Sequence, residues 1–299
     1  MVTLKEVLGI DGLQDWFTTK YINAVPLSSS MKDTIFPTGS VVFDALLTGY
    51  EGGVLTVIYG SSGAGKTTTC LLAAIACIHS GKKVIFVDTE GSFSTIRFQQ
   101  LLSGEKMQDF LEKIFILKPM SFADQAKTML RLKDLVNESI GLIIVDGIST
   151  LYRIELAKQQ SVKSINADLG LQLFYLNNIA RKFTIPVLVT SQVYADFEEK
   201  DHVKMVGGDI LKYGSKCLIS LEKYKTMRKA IVIKHRSLPE NKAVLFEIVE
   251  GGFAMFEEQR VSSSSATYQP KRQSVSDNIA ERFPDLKDKK EFTDAAEVD

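Results

Sequence analysis

The sequence predicts an α/β protein built on a mostly parallel central sheet flanked by helices, with an antiparallel extension at its C-terminal side. Three observations predict it. From about residue 36, short and almost continuously apolar runs alternate with amphipathic stretches of helical length, the pattern of strands covered on both faces. After "SQVYADF" the long helical stretches stop and β-rich runs follow one another through short turns. Between the first strong strand and the first long helix stands the glycine-rich turn "GSSGAGKT".

In chain order, residues 1–35 form a lead-in, with a helical stretch "LKEVLGIDGLQDWFTTKY" followed by the Pro/Ser segment "VPLSSS". Residues 36–257 carry the repeating pattern. "VLTVIYG", "KVIFVD", "IFILK", "GLIIVD" and "IPVLVTS" are its buried strands, and "KTTTCLLAAIACIHSGKK" and "FADQAKTMLRLKDLVNES" are helices between them. "KCLISLEKY", "KAIVIKH" and "AVLFEIVEGG" form the antiparallel extension. Residues 258–299 are polar, Ser-rich and acidic at the very end, the composition of a disordered tail with room for one short helix at "SDNIAERF".

A chain of 299 residues, 45% apolar, can bury a sizeable core. Lys plus Arg balance Asp plus Glu, 36 against 36, so any nucleic-acid binding has to come from a local patch. Cys70, Cys77 and Cys217 lack metal-ligand spacing, no apolar run approaches the ~20 residues of a membrane span, and the first residues lack a signal-peptide core. An intracellular, cytoplasmic location and no membrane partner are the expectations.

The turn matches G-x-x-x-x-G-K-[ST] in the strand–loop–helix context that motif requires. Gly60, Ser61, Ser62, Gly63, Ala64, Gly65, Lys66, Thr67 and Thr68 are the expected cradle for ATP. Glycines let the backbone curl so that its N–H groups face phosphate, Lys66 reaches the β and γ oxygens, and the Thr67 hydroxyl ligates Mg²⁺. A second carboxylate for the metal is Asp146, ending the strand "GLIIVD" where ligands gather in open α/β sheets. Glu90, just past the strand that ends "FVD", is placed to accept a proton from the attacking water if the two strands are neighbours. Gln192, after "LVTS", can hydrogen-bond the γ-phosphate. "VIKHRSLPE" sets Lys234 and Arg236 around a histidine; as residues alone they are either ligands for an anion or a solvated hairpin end.

The ordered set "PTGSVVFDALLTGYEGGVLTVIYGSSGAGKTT", "VIFVDTEGSF", "LIIVD", "TSQV", "VGGDILKYGSKCLISL" and "KHRSLPE" resembles the ATPase core of the RecA/RadA recombinases. Within that superfamily it is most similar to the archaeal RadB paralogues, which lack the helix-hairpin-helix DNA-binding domain in front. The resemblance implies a RecA-like P-loop core, catalytic roles for Lys66, Glu90 as base and Gln192 as γ-phosphate sensor, and metal ligation by Thr67 and, through water, Asp146. It also implies that Lys234 and Arg236 act in trans, on the γ-phosphate of a neighbouring subunit. "YINA" resembles the aromatic-x-x-Ala linker of such filaments, so Tyr21 and Ala24 are expected to join copies into a homo-oligomer.

The family's DNA loops should follow Asp146, with Arg153, Lys158 and Lys163, and Gln192, with Lys200, His202 and Lys204 before the flexible Gly207 and Gly208. The second also holds Asp196, Glu198, Glu199 and Asp201, a poor groove for phosphate, so binding to single-stranded DNA is expected to be weak or partner-dependent. The functional expectation is a slowly hydrolysing ATPase of DNA repair and homologous recombination, acting as mediator or regulator of the main recombinase. A KaiC-like signalling ATPase and a self-sufficient recombinase filament stay open as alternatives.

Overall fold

The computed structural model describes residues 34–158, 161–195 and 203–256. Expectations for the lead-in helix, Tyr21, Ala24, the acidic residues of the second loop, Lys200, His202 and the tail lie outside the described residues.

The first strands and helices build the wall that carries the glycine-rich turn. The chain runs β1 (Ile35–Phe36), α1 (Val41–Leu47), β2 (Tyr50–Glu51), β3 (Leu55–Gly60) and α2 (Lys66–His79). It continues through β4 (Lys83–Asp88), α3 (Thr95–Leu101), α4 (Gln108–Leu111), β5 (Ile114–Leu117), α5 (Phe122–Leu135) and β6 (Ile140–Asp146). Next come α6 (Ile148–Leu156), α7 (Val162–Phe183), β7 (Val187–Ser191), β8 (Val193–Ala195), β9 (Val203–Met205) and α8 (Gly208–Gly214). The chain closes with β10 (Cys217–Tyr224), β11 (Met227–Lys234), β12 (Ala243–Val249) and β13 (Gly252–Met255).

A nine-stranded sheet has the order β13-β12-β11-β10-β3-β7-β6-β4-β5. Every residue of β6 and β7 is buried, because helices cover both faces. On one face α1 and α2 pack Phe43, Leu46, Leu71, Leu72 and Ile75 over Ile58, Phe86 and Ile144. On the other, α5 to α8 pack Met129, Leu132, Leu151, Leu169, Leu173 and Leu211 over Val57, Val145 and Val187. Fully burying each such side chain contributes about 1.5–3 kcal/mol.

Two expectations need correcting. β10 pairs with β3 in parallel, not antiparallel, since α8 intervenes and supplies a crossover connection; the antiparallel part starts at β11. The apolar run "AVLFEIVEGG" supplies the strand β12 and its turn at Glu250–Gly251, and it is followed by a strand the expectation lacked, β13, which starts at Gly252 (φ 125°) and closes a hairpin on β12. Among the described residues no helix is long and apolar enough to cross a membrane, and Cys70, Cys77 and Cys217 are buried and free.

Candidate nucleotide site

Parallel strands end together, so the C-terminal ends of β3, β7, β6 and β4 bring their loops to one place. The glycine-rich turn leaves β3 at Gly60, bends through Ala64 N–H to Ser61 O (3.2 Å), and enters α2 at Gly65 with φ 106°, a left-handed conformation that favours glycine. Lys66 is 9% exposed, and its Nζ donates to Gly60 O (2.8 Å) and Ser61 O (3.0 Å). Burial pushes the Lys66 pKa down, partly opposed by Glu90 and Asp146. A buried ammonium whose hydrogen bonds go to carbonyls of its own loop is a cation whose desolvation an incoming phosphate would offset.

The expected adjacency of β4 and β6 holds, with Asp88 beside Asp146 in register. Asp146, 2% exposed, is wrapped by hydroxyls: Thr67 Oγ1 (2.8 Å) and Ser92 Oγ (2.6 Å) donate to Oδ2, and Thr190 Oγ1 (2.6 Å) donates to Oδ1. Burial raises its pKa, while the Ser92, Thr190 and Thr67 hydrogen bonds pull it back. Thr67 and Asp146 are thus within one hydrogen bond of each other, though 79 residues apart in sequence. No group of three or more His, Cys, Asp or Glu that could hold a metal occurs among the described residues. That donor set suits Mg²⁺, which keeps its waters and takes one or two protein oxygens plus substrate phosphates, so Thr67 and Asp146 fit it.

Glu90 is presented outward by a tight wrap of its own loop. Asp88 Oδ1 accepts from Ser92 N (2.9 Å) and Oδ2 from Phe93 N (3.2 Å), so the turn "DTEGSF" folds around the Asp88 carboxylate. Thr89 Oγ1 donates to Gly147 O (2.6 Å), fixing that turn to the end of β6. The Glu90 carboxylate then accepts from Thr150 Oγ1 (2.5 Å) and from Gln192 Nε2 (2.9 Å). Gly147 makes room for this: at φ 91°, a Cβ there would lie 2.4 Å from Glu90 Cγ.

Lys66, Thr67, Asp146, Glu90 and Gln192 therefore converge. Lys234 and Arg236 do not join them. Lys234 Nζ donates to Lys212 O (2.9 Å) and Ser215 O (2.8 Å), where a cation complements the carboxyl end of α8. Arg236 Nε pairs with Glu51 at 2.5 Å, so neither end is merely solvated.

The first expected DNA loop is largely helical. Gly147 starts α6 in a left-handed conformation, and Ile148, Leu151 and Tyr152 bury one helical face; Arg153 lies in its last turn and Lys163 in the first turn of α7. Around the second, β8 and β9 pair as a short antiparallel stalk, with Tyr194 opposite Lys204. Gln192 sits at its foot, where its carbonyl accepts from Val206 N (2.9 Å).

Sequence reading missed Ser92, Thr150 and Thr190, which hold the two carboxylates; each lies within a few residues of a motif that was read. It also missed Lys223 and Arg228. Arg228 Nε donates to Gly63 O (3.0 Å), and a Cβ on Gly63 would lie 3.8 Å from Lys223 Nζ. Only the parallel pairing of β10 with β3, Leu221 beside Gly60, brings these two cations to the turn.

The sheet order and the glycine-rich turn at the end of β3 define a RecA-like P-loop domain. A solved RadB recombinase structure superposes with a TM-score of 0.64 at 34% identity, covering 75% of this chain and all of that one. The family model described as Rad51 matches residues 32–281, and the chain belongs to the Rad51 family. Among its relatives, the "DNA repair and recombination protein RadB" of Methanococcoides burtonii is 40% identical over 68% of this chain and 90% of its own length. The protein of the same description from Thermococcus sibiricus is 38% identical over 77% and 98%, and that from Methanoculleus marisnigri 37% over 74% and 98%. The Rad51/RecA family is one of ATPases that bind nucleotide, typically with Mg²⁺.

Proposed function

We propose that the chain is a Mg²⁺-dependent ATPase of DNA repair and recombination, in which nucleotide state at the P-loop is transmitted to a weak site for single-stranded DNA. The observation that carries the reading is the hydrogen bond from Gln192 Nε2 to Glu90 Oε1 (2.9 Å). It joins the carboxylate beside the P-loop to the foot of the β8–β9 stalk. A γ-phosphate would compete with Glu90 for the Gln192 amide, so its arrival or loss would shift the foot of the stalk.

In the mechanism the residues divide the work. The turn Gly60–Thr68 and the Lys66 ammonium hold the triphosphate and offset its charge. Thr67 and, through water, Asp146 would hold Mg²⁺, which would supply charge neutralisation for the phosphates. Glu90 takes the proton of the attacking water, its oxygen oriented by Thr150. Lys234 and Arg236, too far along their strand to serve their own P-loop, act on a second copy's γ-phosphate. Homo-oligomer formation through Tyr21 and Ala24, and service to the main recombinase as mediator, complete the proposal; the relatives' descriptions support its DNA repair and recombination part.

The test is steady-state ATP hydrolysis with and without single-stranded DNA at fixed moderate salt, with Lys66→Ala as the control. A Lys66-dependent rate that rises with DNA is expected. A Lys66-dependent rate indifferent to DNA would overturn the coupling through Gln192.

A further inference from the structure

The β10–β11 hairpin carries an arrangement that its own fold does not explain. Lys223 and Arg228 are directly opposite each other in the antiparallel ladder, so both project from the same face, the face that Leu221 and Ala230 continue into the core. Like charges directly opposite across two strands are destabilising. The neighbouring carboxylate does not compensate: Glu222 belongs to the alternate set of side chains and accepts from Ser220 Oγ at 3.1 Å. Arg228 is spent on carbonyls, through Nε on Gly63 O (3.0 Å) and Nη1 on Met227 O (2.9 Å). Its role is to fix the hairpin against the P-loop. Lys223 is left exposed, its ammonium beside Gly63 and close enough to depress the Lys66 pKa.

The hairpin's position is held from below. The β12–β13 hairpin places Phe253 and Ile248 against Gly65, where a Cβ would come within 3.2 Å of the Phe253 ring. Arg97 of α3 ties that hairpin down through Nη2 to Val249 O (2.9 Å) and Nη1 to Glu250 O (2.8 Å). The antiparallel extension thus forms one wall of the P-loop. Three cations, Lys66, Lys223 and Arg228, meet there around a turn whose backbone N–H groups add further positive potential.

We propose that Lys223 is an additional phosphate contact, a second lysine delivered in cis to the terminal phosphates of a nucleoside triphosphate held at Gly60–Thr67. The inference rests on the nucleotide reading above and sharpens it: ATP would be distinguished from ADP within one chain, before any neighbour contributes Lys234 or Arg236. An exposed ammonium is screened by salt and contributes less than a buried one, but a charge-assisted bond to phosphate remains among the stronger contacts available to it.

The test is equilibrium binding of a Mg²⁺-complexed non-hydrolysable ATP analogue and of ADP to the full-length chain, at concentrations where light scattering shows monomer. Wild type, Lys223→Met and Lys223→Arg would be compared, with Lys66→Ala as the loss-of-site control. Lys223 is exposed, so neither substitution disturbs the core. Lys223→Met is expected to weaken the analogue roughly tenfold while leaving ADP within about twofold, and Lys223→Arg to recover most of the difference. Equal weakening of both nucleotides, or no change in either, overturns the cis contact while leaving the P-loop reading intact. A wild-type chain that binds neither nucleotide overturns both.

Discussion

β11 carries cations at both ends, and the two ends live in different surroundings. At the start, Arg228 donates to the P-loop carbonyl of Gly63 and faces Lys223. At the finish, Lys234 is anchored on carbonyls at the carboxyl end of α8, and Arg236, just beyond the strand, on Glu51 of β2. From Arg228 to Lys234 an extended strand covers roughly 20 Å at ~3.3 Å per residue. One strand therefore cannot bring both ends to one phosphate. On the proposed reading, the near end serves the chain's own nucleotide and the far end a phosphate held by a second copy. The lesson is that a run of positive charge on a strand has to be assigned end by end, from what the sheet order sets beside each end.

The largest effect that would sharpen this contrast is at the far end. Arg236→Ala should lower ATP turnover of the assembled protein by about 10³-fold, the range of residues that stabilise charge on a transferring phosphoryl group. The same substitution should leave the monomer's affinity for an ATP analogue unchanged, opposite in kind to Lys223→Met. A turnover equal to wild type in an assembly of normal size would break the distinction between the two ends.

A smaller effect concerns the partner that holds Arg236 within its own chain. Glu51 is 8% exposed and Arg236 about half exposed, so the pair is only partly screened. Glu51→Gln is expected to cost about 1 kcal/mol of stability, a fall of a few degrees in Tm, without lowering turnover of the assembly, since Arg236 must leave Glu51 to act on a neighbour. A parallel loss of turnover would mean that Glu51 aims the guanidinium rather than merely storing it.

The smallest effect is a pH slope from His235, whose side chain is 5% exposed and lies 3.8 Å from Glu51. Burial lowers its pKa; Glu51 opposes the shift, and Arg236 and Lys242 add to it. With the folded pKa below the ordinary ~6.5, the unfolded chain binds more protons as pH falls, so stability should decline below about pH 6.5. Denaturant melts between neutral and mildly acidic pH should show a shallower decline for His235→Gln. Superimposable slopes would remove His235 from the far-end cluster.

Much of this was legible in the sequence, for identifiable reasons. β4, β6 and β7 are buried on both faces, so their runs read directly as apolar words, and "GSSGAGKT" names its own chemistry. α6 was read as a loop although Ile148, Leu151 and Tyr152 already had helical spacing; an expected DNA loop overrode a local signal. β13 escapes the sequence reading because "GFAM" is only four residues long and directly follows the turn at Glu250–Gly251. The partners of Lys234, Arg236 and Arg228 were beyond reach. Ser215, Glu51 and Gly63 are brought to them only by the order of strands, which no single segment encodes.

The central claim is that a complete hydrolytic site takes its P-loop from one chain and Lys234 and Arg236 from another. Mixing Lys66→Ala protein with Arg236→Ala protein tests it most directly, because each variant lacks a different half. Alone, each should be nearly inactive; together, ATP hydrolysis should reappear at the junctions where an intact P-loop meets an intact Arg236. A mixture that assembles to the wild-type size and stays as inactive as its components would contradict the account.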